Sequence, residues 1–407
     1  MEKKNNKISN GVNILGINIS TLKKGEVLKK IEQFLKDGQQ HYIVTPNPEI
    51  ILEARRDEEL FYILNKADLA IPDGAGLKFA AWVMGRNLRR VTGADLVSDF
   101  GSRMSDFRLA VVNWRDGLSK KEEIEDVLRE FKVKDFFVKD IGREVGQDLS
   151  DLAKFKPDIL FCTLGAPYQE KFIYHTINSS PYEGEGRVRL PSVKVVIGVG
   201  GAFDFLTGKI KRAPKIMRWM CLEWLWRLKK QPRRARRIYQ AVIVFPLEFI
   251  KWRFIHPLFY RKNVVGFIFN NKNQVLLVNW VKDNDYWSLP QGGVDKGESE
   301  EEAIRREMKE EIGTNNFNIL GKFKNIYKYK WPKNYSHGGY KGQKQTLYIL
   351  EFKGDDSDIK LCYWEHKEWK WVNIENLTKE AHKVHQTAYG IFLEKFKEIK
   401  TQITDNR

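Results

Sequence analysis

At 407 residues the chain is long for a single core, and a soft prior of ~150 residues per domain points to two or three. Its 42% hydrophobic and 30% charged residues describe a soluble globular protein and exclude a disordered one. Three widely spaced cysteines, Cys162, Cys221 and Cys362, exclude a disulfide scaffold or zinc ribbon and fit a reducing cytoplasm.

The first ten residues, MEKKNNKISN, are polar, lack the apolar run of a signal peptide and are read as a flexible N-terminus. From residue 11 a short β-like run alternates with a polar, helix-compatible stretch. The runs are His41–Pro46, Ala67–Asp73, Arg108–Trp114, Asp135–Ile141, Asp158–Gly165 and Val193–Gly201. Several are continuously apolar, as in strands buried on both faces, and they end in Gly, Pro or Asp turn signals. That alternation predicts an α/β unit with a mainly parallel sheet between helices, whose site lies outside the carboxyl ends of the strands. Three such ends carry unusual polar groups: Thr45-Pro46-Asn47-Pro48-Glu49, Pro72-Asp73-Gly74 and Gly165-Ala166-Pro167-Tyr168-Gln169-Glu170. Taken singly, Asn47 and Asp73 also read as turn residues satisfying backbone N–H groups.

The net charge of +17 is concentrated next. Lys209–Arg237 holds twelve Lys or Arg and one acid, Glu223, giving +11. Such a cluster predicts an anionic partner: phosphates, nucleic acid or an acidic membrane surface. Met217, Met220, Cys221, Trp224, Leu225 and Leu228 fall on one helical stripe, with Trp219, Leu222 and Trp226 off it, so this helix is apolar on more than one side. The most apolar stretch, Ala241 to Leu247, has seven residues against the ~20 of a spanning helix, so an intracellular protein that does not itself cross a membrane is expected.

Thr45-x-Asn47-Pro48-Glu49, Pro72-Asp73-Gly74, Arg90-Val91-Thr92-Gly93-Ala94-Asp95, Gly165-Ala166-Pro167-x-Gln169-Glu170, Gly198–Asp204 and Lys211-Arg212-Ala213-Pro214 together resemble the WecG/TagA/CpsF glycosyltransferases, from about Gly11 to Arg237. The resemblance implies a Rossmann-like domain over 11–245, with helices on both faces of its sheet and a basic appendage at about 209–245. It implies inverting, metal-independent transfer of N-acetylmannosamine or a related N-acetylhexosamine from a UDP-sugar to a polyprenyl-diphosphate-linked acceptor. On it Asp73 is the candidate general base, and Thr45, Asn47, Arg90 and Gln169 contact sugar or diphosphate. The Gly198–Gly201 turn admits the nucleotide phosphates. Arg212, Arg227, Arg233, Arg234 and Arg237 meet the leaving diphosphate, with the Trp and Leu side chains of the appendage against the anionic cytoplasmic face of a membrane. The other reading of this helix is packing on its own domain with a solvated basic face. Ser179 to Pro191 and the apolar tail after Arg237 are departures from the family.

A linker is expected at 246–261 and a second domain at 262–400. That domain opens with a hairpin, Val264–Phe269 and Val275–Trp280 around Asn270-Asn271-Lys272-Asn273. Gly292-Gly293-Val294-Asp295-Lys296-Gly297-Glu298 then leads into a helix with Ser299 as N-cap and Glu302 three residues on, a capping box. Glu307, Glu310 and Glu311 project from one helix face, and three crowded carboxylates call for cations; oxygen ligands suit Mg²⁺ or Mn²⁺, which also bind diphosphate oxygens. The spacing Gly292-x5-Glu298-x7-Arg306-Glu307-Met308-x-Glu310-Glu311-x-Gly313 resembles the Nudix box, with Thr314 where the family prefers an apolar residue.

The resemblance implies a smaller α+β domain, a mixed sheet between helices, that hydrolyses a nucleoside diphosphate linkage. Glu307, Glu310 and Glu311 bind the metal on this reading. Glu310 and Glu365 are the catalytic candidates, and Glu298 and Arg306 brace a loop framed by Gly292 and Gly313. Tyr286–Gly293, Gly342-Gln343-Lys344-Gln345 and Glu365–Val372 further resemble RNA pyrophosphohydrolases and dinucleoside polyphosphate hydrolases. That likeness makes Gln343 and Gln345 substrate contacts for a nucleotide or 5′-phosphorylated RNA. As a lone loop glutamate, Glu365 also reads as a surface residue. Between Ile312 and Leu350 there is no acid but seven lysines, interleaved with Tyr327, Tyr329, Trp331, Tyr335 and Tyr340, a base-stacking and phosphate-holding pattern. The leading expectation is a bifunctional enzyme peripheral to the cytoplasmic membrane face. The competing one is an RNA-processing factor whose basic N-terminal domain grips nucleic acid.

Overall fold

A computed structural model of the chain describes residues 11–101, 103, 106–144, 147–178, 190–214, 216–217, 223–281, 285–331 and 337–405. The chain divides into two compact units, Met1–Lys251 and Trp252–Arg407.

The first unit begins with a hairpin, strands β1 (Gly11–Ile14) and β2 (Ile17–Ser20), turned at Leu15-Gly16, which both take positive φ. The six apolar runs then form β3 (His41–Val44), β4 (Leu69–Ala70), β5 (Leu109–Trp114), β6 (Phe136–Ile141), β7 (Ile159–Cys162) and β8 (Val195–Gly198). They pair in the order β4-β3-β8-β7-β5-β6, and every pairing is parallel. The apolar continuity has its expected cause: all four residues of β7 and of β8 are buried. Ile43, Val111, Ile159 and Ile197 pack on helices Lys24–Phe34, Gly93–Gly101 and Lys121–Glu130. On β3 and β8 the other face carries helix Tyr168–Ile177, itself packed on helix Glu58–Lys66, whose Ile63 carbonyl accepts from the Tyr42 hydroxyl. Because all strands run one way, every carboxyl-terminal turn opens at the same edge.

The second unit holds β9 (Tyr260–Phe269), β10 (Gln274–Trp280), β11 (Trp287–Ser288), β12 (Gln291–Gly293), β13 (Phe317–Lys330), β14 (Gly342–Phe352) and β15 (His366–Asn373). The path is β11-β10-β9-β14-β13, with β12 on β9 and β15 on β10. Only β9 and β14 pair in parallel, so the sheet is mixed. The expected hairpin turn forms at 270–273, where Asn270 Oδ1 accepts from the Lys272 and Gln274 N–H groups. Alternate residues of β9 face opposite cores. Val264 and Ile268 meet Ala303, Ile304 and Met308 of helix Glu300–Ile312, while Val265 and Phe267 meet Tyr389, Phe392 and Phe396 of helix Gln386–Asp405.

The stretch expected as a linker is helical through Phe245–Ile250, Lys251–Ile255 and His256–Leu258, and Tyr260 already opens β9. Among the described residues no helix is long and apolar enough to cross a membrane.

Candidate active sites

In the first unit the strand-end residues converge on the carboxyl edge. Thr45 is buried, and its hydroxyl donates to the Gly198 carbonyl at 2.8 Å, tying the end of β3 to that of β8. Asn47 caps helix Pro48–Ala54 by accepting from the Ile50 N–H at 3.0 Å. The side chains expected to contact sugar or diphosphate thus also hold the edge together. The Asp73-Gly74 turn lies against Pro48: Gly74 has φ +127°, and a Cβ there would stand 2.8 Å from the Pro48 Cδ. Glycine at 74 therefore lets this turn pass Pro48, with the Asp73 N–H bonded to the Pro46 carbonyl at 2.9 Å.

Asp73 accepts from Arg90 Nε at 3.0 Å, and the same guanidinium donates from Nη1 to Glu223 at 2.6 Å. Burial by itself would lower the Arg90 pKa, but the two carboxylates outweigh it and hold the pKa above the ordinary range. Arg90, expected as a substrate contact, thus bridges Asp73 and Glu223. The lone acid of the basic segment is what docks helix Glu223–Lys230 on it. Gln169, buried beneath the glycine turn, accepts from Gly200 N–H at 2.8 Å and donates to Glu170 at 3.0 Å. Glu170 is fully buried, and desolvation pushes its carboxyl up to about 7.

Arg143, just past β6, had no sequence motif to mark it. Its guanidinium lies 3.6 Å from the Trp114 ring centroid and 5.0 Å from that of Tyr168, and donates to the Leu164 carbonyl at 2.7 Å. Its pKa is lowered, first by burial and also by the positive charge of Arg237. Arg237 pairs with Glu49 at 2.6 Å and Arg212 with Asp95 at 2.9 Å. Arg233 is exposed and Arg234 half-buried. The Arg227 side chain, Trp219, Met220, Cys221, Leu222 and residues 179–189 lie outside the described residues. Trp224 and Trp226 are half-buried, with Trp226 donating to the Lys211 carbonyl. An exposed apolar face lies further on: Tyr239, Ile243, Leu247 and Ile250 at helical spacing, opposite the buried Phe245 and Phe249.

In the second unit the glycine loop and helix interlock. Ser299 accepts from Glu302 N–H, and the Glu302 carboxylate accepts from Ser299 N–H, closing the capping box. Gly313 ends the helix in the left-handed conformation at φ +77°. A Cβ on Gly292 would collide with the Glu307 carboxylate, so the loop needs glycine to pass the helix. Arg306 donates to both Glu298 oxygens, at 2.8 and 3.0 Å, and to the Gly293 carbonyl at 2.9 Å. It also reaches Glu307 at 2.9 Å and Glu310 at 2.8 Å. This guanidinium holds the Glu298 carboxyl below its ordinary range.

Glu307 and Glu311 are buried, while Glu310 is largely exposed. Of the three helix carboxylates, only Glu311 belongs to the one group of three potential ligands found among the described residues, together with Glu365 and His366. Its donor atoms lie within 4.8 Å of one another. Glu311 also accepts from the Gln291 N–H at 3.1 Å. Two carboxylates and an imidazole converging in a largely buried site fit a divalent cation. Gln345 donates to Gln291 of β12 at 2.8 Å, and Gln343 accepts from the hydroxyl of Tyr329 on β13 at 2.6 Å. On β13, Tyr327 and Tyr329 alternate with the exposed Lys328 and Lys330; Tyr335 is outside the described residues.

Comparison with known proteins follows this division. Residues 12–257 match the glycosyl transferase WecG/TagA/CpsF family and residues 259–394 the NUDIX domain. An N-acetylglucosaminyldiphosphoundecaprenol N-acetyl-beta-D-mannosaminyltransferase of Bacillus spizizenii is 33% identical over 215 residues, covering 50% of this chain and 77% of that relative. An RNA pyrophosphohydrolase of Wolbachia pipientis wMel is 35% identical over 147 residues, 34% of this chain and 91% of the relative. Among solved structures, a C. elegans Ap4A hydrolase binary complex matches at 23% identity and a TM-score of 0.28, over 34% of this chain and 98% of that one.

Proposed function

Since the chain belongs to the WecG/TagA/CpsF glycosyltransferase family and carries a NUDIX pyrophosphohydrolase domain behind it, we propose that it is one bifunctional enzyme with the two sites described above. The first unit transfers an N-acetylhexosamine of the N-acetylmannosamine type from a UDP-sugar to a polyprenyl-diphosphate-linked acceptor. The observation that carries this reading is Asp73, held by Arg90 at a strand end whose next residue, Gly74, packs against Pro48. Asp73 takes the proton of the acceptor hydroxyl as that oxygen bonds to the anomeric carbon, and the bond to UDP breaks with inversion. The charge growing on the leaving diphosphate meets Arg237, Arg212 and Arg233, joined by Arg143. Asp73→Asn should cut kcat ~10²–10⁴-fold with little change in donor KM, and chelators should leave the wild-type rate intact. UDP release measured with a lipid-diphosphate-sugar acceptor decides it; a rate unaffected by Asp73→Asn ends the base assignment.

The second unit hydrolyses a diphosphate linkage in a nucleotide or at a 5′-phosphorylated RNA end. The named RNA pyrophosphohydrolase relative and the lysines and tyrosines alternating along β13 support this substrate class. When bound, Mg²⁺ or Mn²⁺ polarises the diphosphate and acidifies a water. Around it Glu307, Glu310 and Glu311 supply carboxylates, Glu365 accepts the proton of the attacking water, and Arg306 with Glu298 keeps the loop closed on the helix. Gln343 and Gln345 orient the nucleotide. A panel of 5′-triphosphate RNA, dinucleoside polyphosphates, UDP and UDP-N-acetylhexosamines, run beside Glu310→Gln, tests the assignment. Turnover confined to uridine compounds would link the two activities in one reaction sequence, and turnover of RNA ends would separate them. Equal turnover by Glu310→Gln and wild type would remove Glu310 from the chemistry.

A further inference from the structure

The carboxylates on helix Glu300–Ile312 suggest an oxygen-only cation site, yet the group that actually converges contains an imidazole. We infer that His366 supplies a nitrogen ligand to the divalent cation of the second unit, making its centre a mixed carboxylate–imidazole site. The inference rests on the reading of that unit as a metal-dependent hydrolase. It adds a residue that none of the sequence motifs marked as a ligand.

The separations are those of donor atoms around one ion. His366 Nε2 stands 3.3 Å from Glu311 Oε2 and 3.9 Å from Glu365 Oε2. A charge-assisted hydrogen bond would draw an imidazolium to roughly 2.7–2.9 Å of its carboxylate. Around one ion with bonds of about 2.1 Å, adjacent donor atoms are instead roughly 3 Å apart and opposite ones roughly 4.2 Å. The two observed separations fall inside that interval. His366 and Glu311 are both buried and Glu365 is half-buried, so water screens the two carboxylates poorly and a cation among them is favourable. The backbone at His366 is also fixed: it is the first residue of β15, placed by a register shift opposite Trp280, with its main-chain N–H bonded to the Cys362 carbonyl at 3.0 Å. A neutral imidazole nitrogen is a softer donor than a carboxylate and favours Mn²⁺, Co²⁺ or Zn²⁺ over Mg²⁺.

Pulsed EPR on the full-length protein loaded with Mn²⁺ tests this without recourse to activity. The expected spectrum contains a ¹⁴N hyperfine coupling that becomes a ¹⁵N coupling when the wild-type protein carries ¹⁵N-histidine, a comparison that requires no folded variant. In His366→Gln the coupling should vanish while Mn²⁺ stays bound, and affinity for Co²⁺ should fall at least ~10-fold by titration calorimetry, with Mg²⁺ affected less. Bound Mn²⁺ with no histidine coupling, or a coupling that survives in His366→Gln, overturns the assignment of His366 and leaves the hydrolase reading standing. Failure of the wild-type protein to bind Mn²⁺ at all overturns both.

Discussion

Glu170 lies one residue past a glutamine that props the glycine turn, and every path to water from its carboxyl is closed. Burial holds its proton to a pH of about 7, whereas an unfolded glutamate releases it near 4.5. The folded chain therefore binds one more proton than the unfolded chain between those values. The corresponding stability is fully present below pH ~4.5 and is lost as pH rises through ~7. Above that pH the native state must hold a buried carboxylate, a loss of about 3 kcal/mol at most. Glu170→Gln keeps an acceptor for Gln169 and removes the charge, so it should stabilise the protein at pH 8 by up to that amount and change little at pH 4.5. Urea denaturation at the two pH values measures it, and an identical pH slope in both proteins would sink the argument. At this scale the sequence is a partial guide. Asp73, Asn47 and Gln169 announce themselves by sitting at strand ends in recognisable strings. Arg143 and His366 are single residues whose neighbours come from distant segments, Trp114 and Tyr168 for one and Glu311 for the other, so no local spacing reveals them.

At the scale of elements, the six strands of the first sheet were legible because strands buried on both faces leave an unbroken apolar signature. The β1–β2 hairpin escaped because each strand buries alternate residues over only four positions and turns through Leu15, a non-glycine residue at φ +53°. The basic helix is the more instructive case. Its charge was plain, but its attachment runs through its one acid. Glu223 meets Arg90 at 2.6 Å in a partly buried pair, and Arg90 holds Asp73 from its other edge. Such a charge-assisted contact contributes about 1–3 kcal/mol to holding the two segments together. Glu223→Gln should therefore loosen helix Glu223–Lys230, seen as faster hydrogen exchange over 223–239. It should also lower transferase kcat by less than Asp73→Asn does, because Arg90 can still reach Asp73. Unchanged exchange and unchanged kcat would show that the helix is held by its apolar contacts alone.

For the whole molecule, the surplus of positive charge admits two partners, and the placement of apolar surface distinguishes them. A nucleic-acid grip is mainly counterion release, which fades steeply as salt rises. The face formed by Tyr239, Ile243, Leu247 and Ile250 lies just beyond the exposed Arg233, Arg236 and Arg237, while Phe245 and Phe249 anchor the opposite side, Phe245 against Gly76. That is the arrangement of a helix lying in a headgroup region, cations outward and apolar side chains below. Each basic residue adds about 1 kcal/mol at an anionic surface, and each apolar side chain that leaves water adds roughly 1.5–3 kcal/mol. The apolar part does not depend on salt. Vesicles containing anionic lipid should thus retain part of the bound protein at 1 M salt, where the Debye length is roughly threefold shorter than at 0.1 M. The pair Ile243→Asp and Leu247→Asp should reduce partitioning roughly 10²-fold or more while leaving NUDIX hydrolysis of a soluble nucleotide untouched. Trp224 and Trp226 are half-buried and Trp226 donates to the Lys211 carbonyl, so their replacement also disturbs the fold and is a poorer probe. Co-sedimentation that disappears at high salt in the wild type and is indifferent to Ile243→Asp/Leu247→Asp would reject the membrane face and favour a nucleic-acid partner for the basic segment.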